Sequence, residues 1–330
     1  MSDERLIEEH PDLMPELWAN LVALRSVEQA CSKAKAGEST GIPNASFPGC
    51  DIVEEIYRGG QGVVYRAKHQ RMSRDVAVKV MRDGPFQDSR DRARFDREVR
   101  ILAQLKHPNI VTIHDSGCVS GLHYFVMDYI AGEALDVYMA SERRTIKETL
   151  ALFLKICRAV NAAHLRGIIH RDLKPSNIRI DKNGEPYILD FGLAKLTTDG
   201  LGESTQWRAM TMTGQFVGSL PWASPEQAGG SPDRIDLRTD VYSLGVVLYQ
   251  MLTGRFPYAV VGNIHDVLSH ILETAPIAPR SIRTEIDEDV ATIVLKCLAK
   301  EPEQRYQNAA AVADDIERYL ADRPILARAP

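Results

Sequence analysis

The most constraining stretch of this chain is His170-Arg171-Asp172-Leu173-Lys174-Pro175-Ser176-Asn177, followed by a hairpin pattern and then by Asp190-Phe191-Gly192. The hairpin pattern is two short β-type runs, 178–180 and 187–189, around Asn183-Gly184. Asn-Gly supplies the positive φ angles that a tight hairpin turn requires. A chain that doubles back there returns Asp190 to the side of Asn177. A carboxylate and an amide oxygen placed together form a hard-oxygen site suited to Mg²⁺, which keeps substrate phosphates among its ligands. Asp-Phe-Gly alone reads as a turn, and its meaning comes from its place after the His170–Asn177 cluster.

A second pattern lies upstream. Gly59-Gly60-Gln61-Gly62-Val63-Val64 falls between two candidate strands, where glycine lets the backbone approach a phosphate closely. By itself a Gly-rich hairpin is usually only a turn. It gains force from Lys79 in Val76-Ala77-Val78-Lys79. A lysine among apolar strand residues turns its ammonium into a cleft, unless it snorkels to water from an edge. Glu98, on a helix expected over 89–106 and stopped by Pro108, is placed to pair with it.

From Leu150 onward the pattern is mainly helical, with an apolar stripe of Leu150, Phe153, Leu154, Cys157 and Val160. Further helices are expected at 238–253, 264–273, 288–299 and 307–321. A small sheet lobe followed by a larger helical lobe is an α+β, bilobal arrangement with a cleft between the lobes. The expected divisions are an N-terminal helical extension and linker (1–48), a small lobe (49–130), a large lobe (131–322) and a tail (323–330). At 330 residues the chain exceeds what one hydrophobic core usually serves.

The bulk properties exclude several classes. Net charge is −5 and pI about 6.0, so there is no basic footprint for nucleic acid and no polybasic membrane patch. Five cysteines, with no two in a CxxC pair, argue against a disulfide framework or zinc knuckle and for a reducing, cytoplasmic setting. The most apolar run, 241–252, holds Tyr242, Ser243, Tyr249 and Gln250 and reads as a buried helix rather than a membrane span. No signal-peptide pattern opens the chain.

On these motifs the chain resembles the eukaryotic-type protein kinases, most of all their bacterial serine/threonine branch, over roughly residues 51–321. The resemblance implies an ATP- and Mg²⁺-dependent enzyme that phosphorylates Ser/Thr hydroxyls of proteins. It implies that Asp172 accepts the hydroxyl proton, that Lys174 steadies the γ-phosphate, and that Asn177 and Asp190 hold Mg²⁺. Lys79, paired with Glu98, would hold the α- and β-phosphates. The nucleotide would meet Ile56, Gly59, Gly60, Gln61, Gly62 and Val64 on the strand–loop–strand. It would meet Ala77 above, Met127 as gatekeeper, the Asp128 and Ile130 backbone of a hinge, and Arg179 below. His170, Phe191 and Leu102 match a spine joining the lobes. Glu226 would pair with Arg305, Asp240 would brace the catalytic loop, and Ser219 would contact Asp172 and Lys174.

Thr211 and Thr213 match activation-segment threonines that are autophosphorylated in trans, which implies self-association; Arg171 and Lys195, the latter just after Gly192, would receive the phosphate. Two positions depart from the family pattern. Tyr57 replaces the first loop glycine, and Arg179 replaces an apolar floor beneath adenine, where its guanidinium would lie against the base or swing away. The competing possibilities are a kinase-shaped scaffold without activity and a small-molecule phosphotransferase. The intact Lys79, Asp172, Asn177 and Asp190 set opposes the first, and Ser224-Pro225-Glu226 opposes the second. Many bacterial relatives continue into a membrane span and sensor domain, so a stand-alone kinase or a fragment of a longer one is expected.

Overall fold

In the computed structural model of the chain, the described residues are 47–59, 62–81, 99, 101–191, 219–261 and 263–327. Backbone contacts divide the chain into Met1–Ala45 and Ser46–Pro330. Every element below belongs to the second unit; the helix and linker expected before it fall outside the described residues.

Five antiparallel strands form the first sheet: β1 (Cys50–Gly59), β2 (Gly62–His69), β3 (Arg74–Met81), β4 (Ile113–Val119) and β5 (Leu122–Asp128), in the order β1-β2-β3-β5-β4. Its register decides what faces the cleft. Val64 lies opposite Lys79, Ala77 opposite Met127, and Lys79 opposite Phe125. Cross-strand partners and residues two apart share a face. Val64, Ala77, Lys79, Phe125 and Met127 therefore form one surface, while Val76, Val78 and Val80 bury the other. The β1–β2 connection needs glycine at one point: Gly62 has φ of 154°, and a Cβ there would stand 2.0 Å from the Val80 carbonyl oxygen.

Before β4 the chain is helical at 99 and 101–103, ending short of the expected Lys106. The Gln104 and Leu105 amides bond the carbonyls of Ile101 and Leu102, the tightened geometry that closes many helices. Leu102 and Leu105 are buried at that end.

The larger part begins with β6 (Gly132–Ala134), α1 (Leu135–Ser141) and α2 (Ile146–His164). Thr145 and Glu148 form a reciprocal capping box at the start of α2, satisfying amides a helix start leaves open. The stripe Leu150, Phe153, Cys157 and Val160 is fully buried. β7 (Ile178–Asp181) and β8 (Pro186–Ile188) complete a three-stranded sheet ordered β6-β7-β8. The hairpin stands where the pattern places it, but its turn differs from expectation. Of the Asn-Gly pair only Gly184 has positive φ, 78°. Asp181 shapes the loop instead, its Oδ1 accepting from the Asn183 amide (2.8 Å) and the Glu185 amide (2.9 Å).

Five helices follow among the described residues: α3 (Pro225–Ala228), α4 (Leu237–Thr253), α5 (Ile264–Glu273), α6 (Pro279–Ile282) and α7 (Glu288–Cys297), before α8 (Ala309–Leu320). α4 is buried on nearly all sides, so the apolar run 241–252 is a core helix. A Cβ on Gly245 would sit 2.6 Å from that of Cys297, so glycine is what lets α4 and α7 touch. Cys50, Cys118, Cys157 and Cys297 are free thiols.

Candidate active site

The segment after α2 is held from behind by one side chain. Asp240, near the start of α4 and fully buried, accepts from the His170 amide (2.8 Å) through Oδ2 and the Arg171 amide (2.9 Å) through Oδ1. His164 Nε2 lies 2.8 Å from the same Oδ2. Arg171 has φ of 65°, a region that non-glycine residues seldom occupy without surrounding contacts to hold them. The Asp240 carboxylate and the Gln227 side chain, which donates to the Arg171 carbonyl at 2.8 Å, supply those contacts. The strained residue sits immediately before Asp172 and sets its direction.

Asp172 Oδ2 receives Lys174 Nζ at 2.9 Å and Asn177 Nδ2 at 3.1 Å, and Asn177 Nδ2 also donates to the Asp172 carbonyl at 2.7 Å. Lys174 Nζ stands 2.5 Å from Ser219 Oγ. Asp172, Lys174, Asn177 and Ser219 thus form one connected group, in which the expected Ser219 contact is with Lys174.

The hairpin returns Asp190 to this group. The Leu189 amide bonds the Asn177 carbonyl at 2.9 Å. Asp190 has φ of 56°, and its Oδ2 meets Lys79 Nζ at 2.7 Å. The Lys79 side chain is 5% exposed, and removing a charge this thoroughly from water requires partners. A divalent cation fits this donor set. Asp190 Oδ1 is buried with no partner, and both Asn177 side-chain bonds use the amide nitrogen, which leaves its oxygen as an acceptor. Two hard oxygens, on backbone segments joined by the Leu189–Asn177 bond, match what Mg²⁺ takes.

The Lys79 face of the first sheet continues into an apolar cluster. Ala77, Val111 and Met127 form a buried cluster, with Val64, Tyr129, Ile130, Tyr187 and Leu189 packed on it. A cavity behind Met127 is lined by Leu102, Phe125, Ile188, Asp190 and Phe191. The His170 and Phe191 rings stand 4.7 Å apart, and Leu102 joins Phe191 in that cavity wall. Asp128, where a hinge is expected, ends β5 with its amide bonded to the Thr112 carbonyl at 3.1 Å.

The two departures have structural consequences. The Tyr57 ring folds over Gly59, close to where a Cβ on that glycine would stand. Arg179 alternates with the core residues Ile178 and Ile180 and so faces away from the core, donating through Nη2 to the Gly132 carbonyl. Its Nε is buried without a partner. Ile56 stands at a β-bulge between Glu55 and Tyr57 and is 41% exposed. Gly60, Gln61, Glu98, Gly192, Lys195, Thr211 and Thr213 lie outside the described residues.

Glu226 and Arg305, 79 positions apart, form a buried bidentate pair at 2.8 Å on both arms. Thr239 Oγ1 donates to Glu226 at 2.7 Å. Burial opposes ionisation of Glu226, but the Arg305 bonds and charge, with Thr239, outweigh it and hold the carboxyl below its ordinary range. The motifs did not mark His164, Gln227 or Thr239. Their only signals were a histidine on an apolar helix, a glutamine three residues after a Ser N-cap, and a threonine beside Asp240.

Comparison with known proteins shows the family. The family description "Protein kinase domain" matches residues 50–316, and the chain belongs to that family. Among curated proteins it is similar to the serine/threonine-protein kinase PknB of Mycobacterium tuberculosis. The two are 39% identical over 279 residues, covering 83% of this chain and 43% of PknB. It is also similar to a probable serine/threonine-protein kinase of Streptomyces coelicolor, 38% identical over 278 residues, covering 82% of this chain and 40% of that protein. The chain spans about two fifths of the length of these relatives. The crystal structure of the Mycobacterium tuberculosis PknI kinase domain superposes with a TM-score of 0.64 at 24% identity, covering 84% of this chain and 98% of that one; that likeness is one of fold. No helix among the described residues is long and apolar enough to cross a membrane.

Proposed function

We propose that this chain is an ATP-dependent protein serine/threonine kinase, acting in the cytoplasm on protein hydroxyls and, in trans, on Thr211 or Thr213 of a second copy. The observation that carries the proposal is the Asp172 carboxylate, bonded by Lys174 and Asn177, while the Asn177 carbonyl accepts from Leu189, the neighbour of the Lys79-bound Asp190.

Phosphoryl transfer depends more on positioning and charge neutralisation than on covalent chemistry. Val64, Ala77 and Met127 would enclose the base, with the Asp128 and Ile130 backbone as its polar edge and Arg179 beneath. Lys79 would hold the α- and β-phosphates and Lys174 the γ-phosphate. Asn177 and Asp190 would hold Mg²⁺, which when bound neutralises phosphate charge. The contacts from Lys174 and Asn177 use Asp172 Oδ2, so Oδ1 remains to orient the incoming hydroxyl and take its proton.

A positioned base typically contributes about 10²–10⁴-fold. Asp172→Asn is expected to cut ³²P transfer from ATP by at least about 10² and to abolish the mass gain of the chain on incubation with ATP. Near-normal transfer in that variant refutes the assignment of Asp172. A wild-type chain that binds ATP but transfers nothing, with or without Mg²⁺, is a scaffold.

A further inference from the structure

Lys300 lies between α7 and α8, far in sequence from every motif above, yet it joins three elements. Its Nζ donates to the Ile271 carbonyl at 2.7 Å and the His270 carbonyl at 3.3 Å. Both belong to the last turn of α5, where the helix dipole favours a cation; the His270 carbonyl also accepts from the Thr274 amide at 3.1 Å. The same ammonium donates to Tyr242 Oη of α4 at 3.4 Å. It stands 4.9 Å from the ring centre of Tyr258 and 5.8 Å from that of Tyr242, where aromatic faces attract a cation.

From there a relay of hydroxyls runs toward the active site. Tyr242 Oη donates to Tyr258 Oη at 3.3 Å, and Tyr258 Oη donates to the Pro221 carbonyl at 3.3 Å. Both tyrosines are buried. Pro221 belongs to the turn Leu220–Trp222, which follows directly on Ser219, the partner of Lys174. At the other end of this segment Gln227 grips the Arg171 carbonyl. A polypeptide presenting a hydroxyl to Asp172 must pass Ser219 and the turn beside it, whereas the nucleotide cluster around Ala77 and Met127 shares no residue with the relay.

The charged and titratable groups around Lys300 are Tyr242 of α4, Tyr258, Arg305 with its partner Glu226, and His270 of α5, whose Nδ1 bonds the Ala259 carbonyl at 2.8 Å. Burial, and then the neighbouring Arg305 charge, bring the Lys300 ammonium down to about 8. The backbone carbonyl of Lys300 accepts from Arg305 Nη2 at 2.7 Å, which fixes the residue at its base.

We propose that Lys300 is a positioning residue for the protein substrate, its ammonium tying the C-terminal end of α5 through Tyr242 and Tyr258 to the Leu220–Trp222 turn. The substrate role rests on the kinase assignment above; the tie does not. Charge on Lys300 then tunes acceptor binding and leaves ATP binding alone.

The test uses the full chain with Lys300→Met, Lys300→Arg and Tyr258→Phe. Amide hydrogen exchange is measured first, without substrates. Lys300→Met is expected to raise exchange about 5- to 10-fold, the loss of roughly one net hydrogen bond, both at the α5 C-terminus and at 219–227. Tyr258→Phe, which keeps the ring and the lysine and serves should the methionine variant not fold, raises it at 219–227 only. Kinetics follow, with the Asp172→Asn copy of this chain as acceptor. Lys300→Met raises acceptor KM about 5-fold with ATP KM within about twofold. From pH 7 to 9 acceptor KM climbs for the wild type as Lys300 loses its proton and stays level for Lys300→Arg. Unchanged exchange at 219–227 in both the methionine and phenylalanine variants overturns the tie. ATP and acceptor KM rising together overturns the substrate role. A wild-type chain that transfers no phosphate refutes the kinase assignment, and the exchange measurement still decides the tie.

Discussion

Replacing Asp240 by asparagine keeps the shape of the side chain and removes one acceptor from a place that uses both. Oδ2 carries the His170 amide and His164, and Oδ1 carries the Arg171 amide. An asparagine oxygen in the Oδ2 position turns its NH₂ against the Arg171 amide; the flipped rotamer turns it against His170 and His164. Either way a buried donor is stranded, at about 1–3 kcal/mol, and the surviving bonds lose their charge assistance. The expected destabilisation is about 2–4 kcal/mol, out of the 5–15 kcal/mol typical of a domain. The kinetic effect is sharper, because Arg171 has φ of 65° and Asp172 comes next. A displacement of about 1 Å at the reacting groups costs on the order of 10² in rate. Asp240→Asn should therefore lower kcat about 10²-fold while ATP KM moves less than about threefold. His164→Leu is the control: it removes one of the three partners, leaves both backbone donors paired, and should cost about 1 kcal/mol for the lost bond. Urea unfolding and steady-state kinetics check both variants. Asp240→Asn within about 0.5 kcal/mol of wild type, with kcat intact, refutes the claim that this carboxylate holds the loop.

Glu226→Gln breaks a buried ion pair and should cost about 3–5 kcal/mol in unfolding. The folded carboxyl is held below its ordinary 4.5, so its contribution is full above that value and is lost as pH falls through the folded value; the variant should show a shallower acid slope in unfolding below about pH 4.5. Arg179→Leu should weaken ATP and the uncharged nucleoside adenosine alike, by about 3- to 10-fold if the guanidinium lies against the base. Equilibrium binding of both ligands checks this, and an unchanged affinity for either removes the stacking role.

Much of the site was legible because its members are close in sequence or sit on regular elements. Asp172, Lys174 and Asn177 share one loop, and strand alternation alone puts Val64, Ala77 and Lys79 on one face. The hairpin returning Asp190 was legible too, although its turn was not: a side chain two residues earlier, Asp181, took over the role assigned to Asn183. What the motifs could not convey was the bracing. His164, Gln227, Thr239 and Lys300 act through contacts that exist only once α2, α3, α4 and α5 have packed, and no local pattern marks a residue whose partner lies 13 to 76 positions away. Arg179 was legible as a departure, but its bond to the Gly132 carbonyl depends on the β6–β7 pairing, which a three-residue strand hardly announces.

These bracing contacts converge on the first two turns of α4. Asp240 holds the backbone before Asp172, Thr239 holds Glu226, Ser243 donates to the Trp222 carbonyl at 2.8 Å, and Tyr242 begins the relay to Pro221. Each loop of the site is irregular and satisfies few of its own backbone groups, so its conformation is imposed by a helix buried on nearly all sides. The helix can impose it because Gly245 lets α7 pack directly against the following turn and fixes it from behind. Contacts that share a rigid support couple when they are broken, whereas distant independent ones add. Asp240→Asn combined with Tyr258→Phe should therefore lower kcat by a factor different from the product of the single effects. The same Tyr258→Phe combined with Arg179→Leu, whose bond to the Gly132 carbonyl shares no residue with the relay, should be multiplicative.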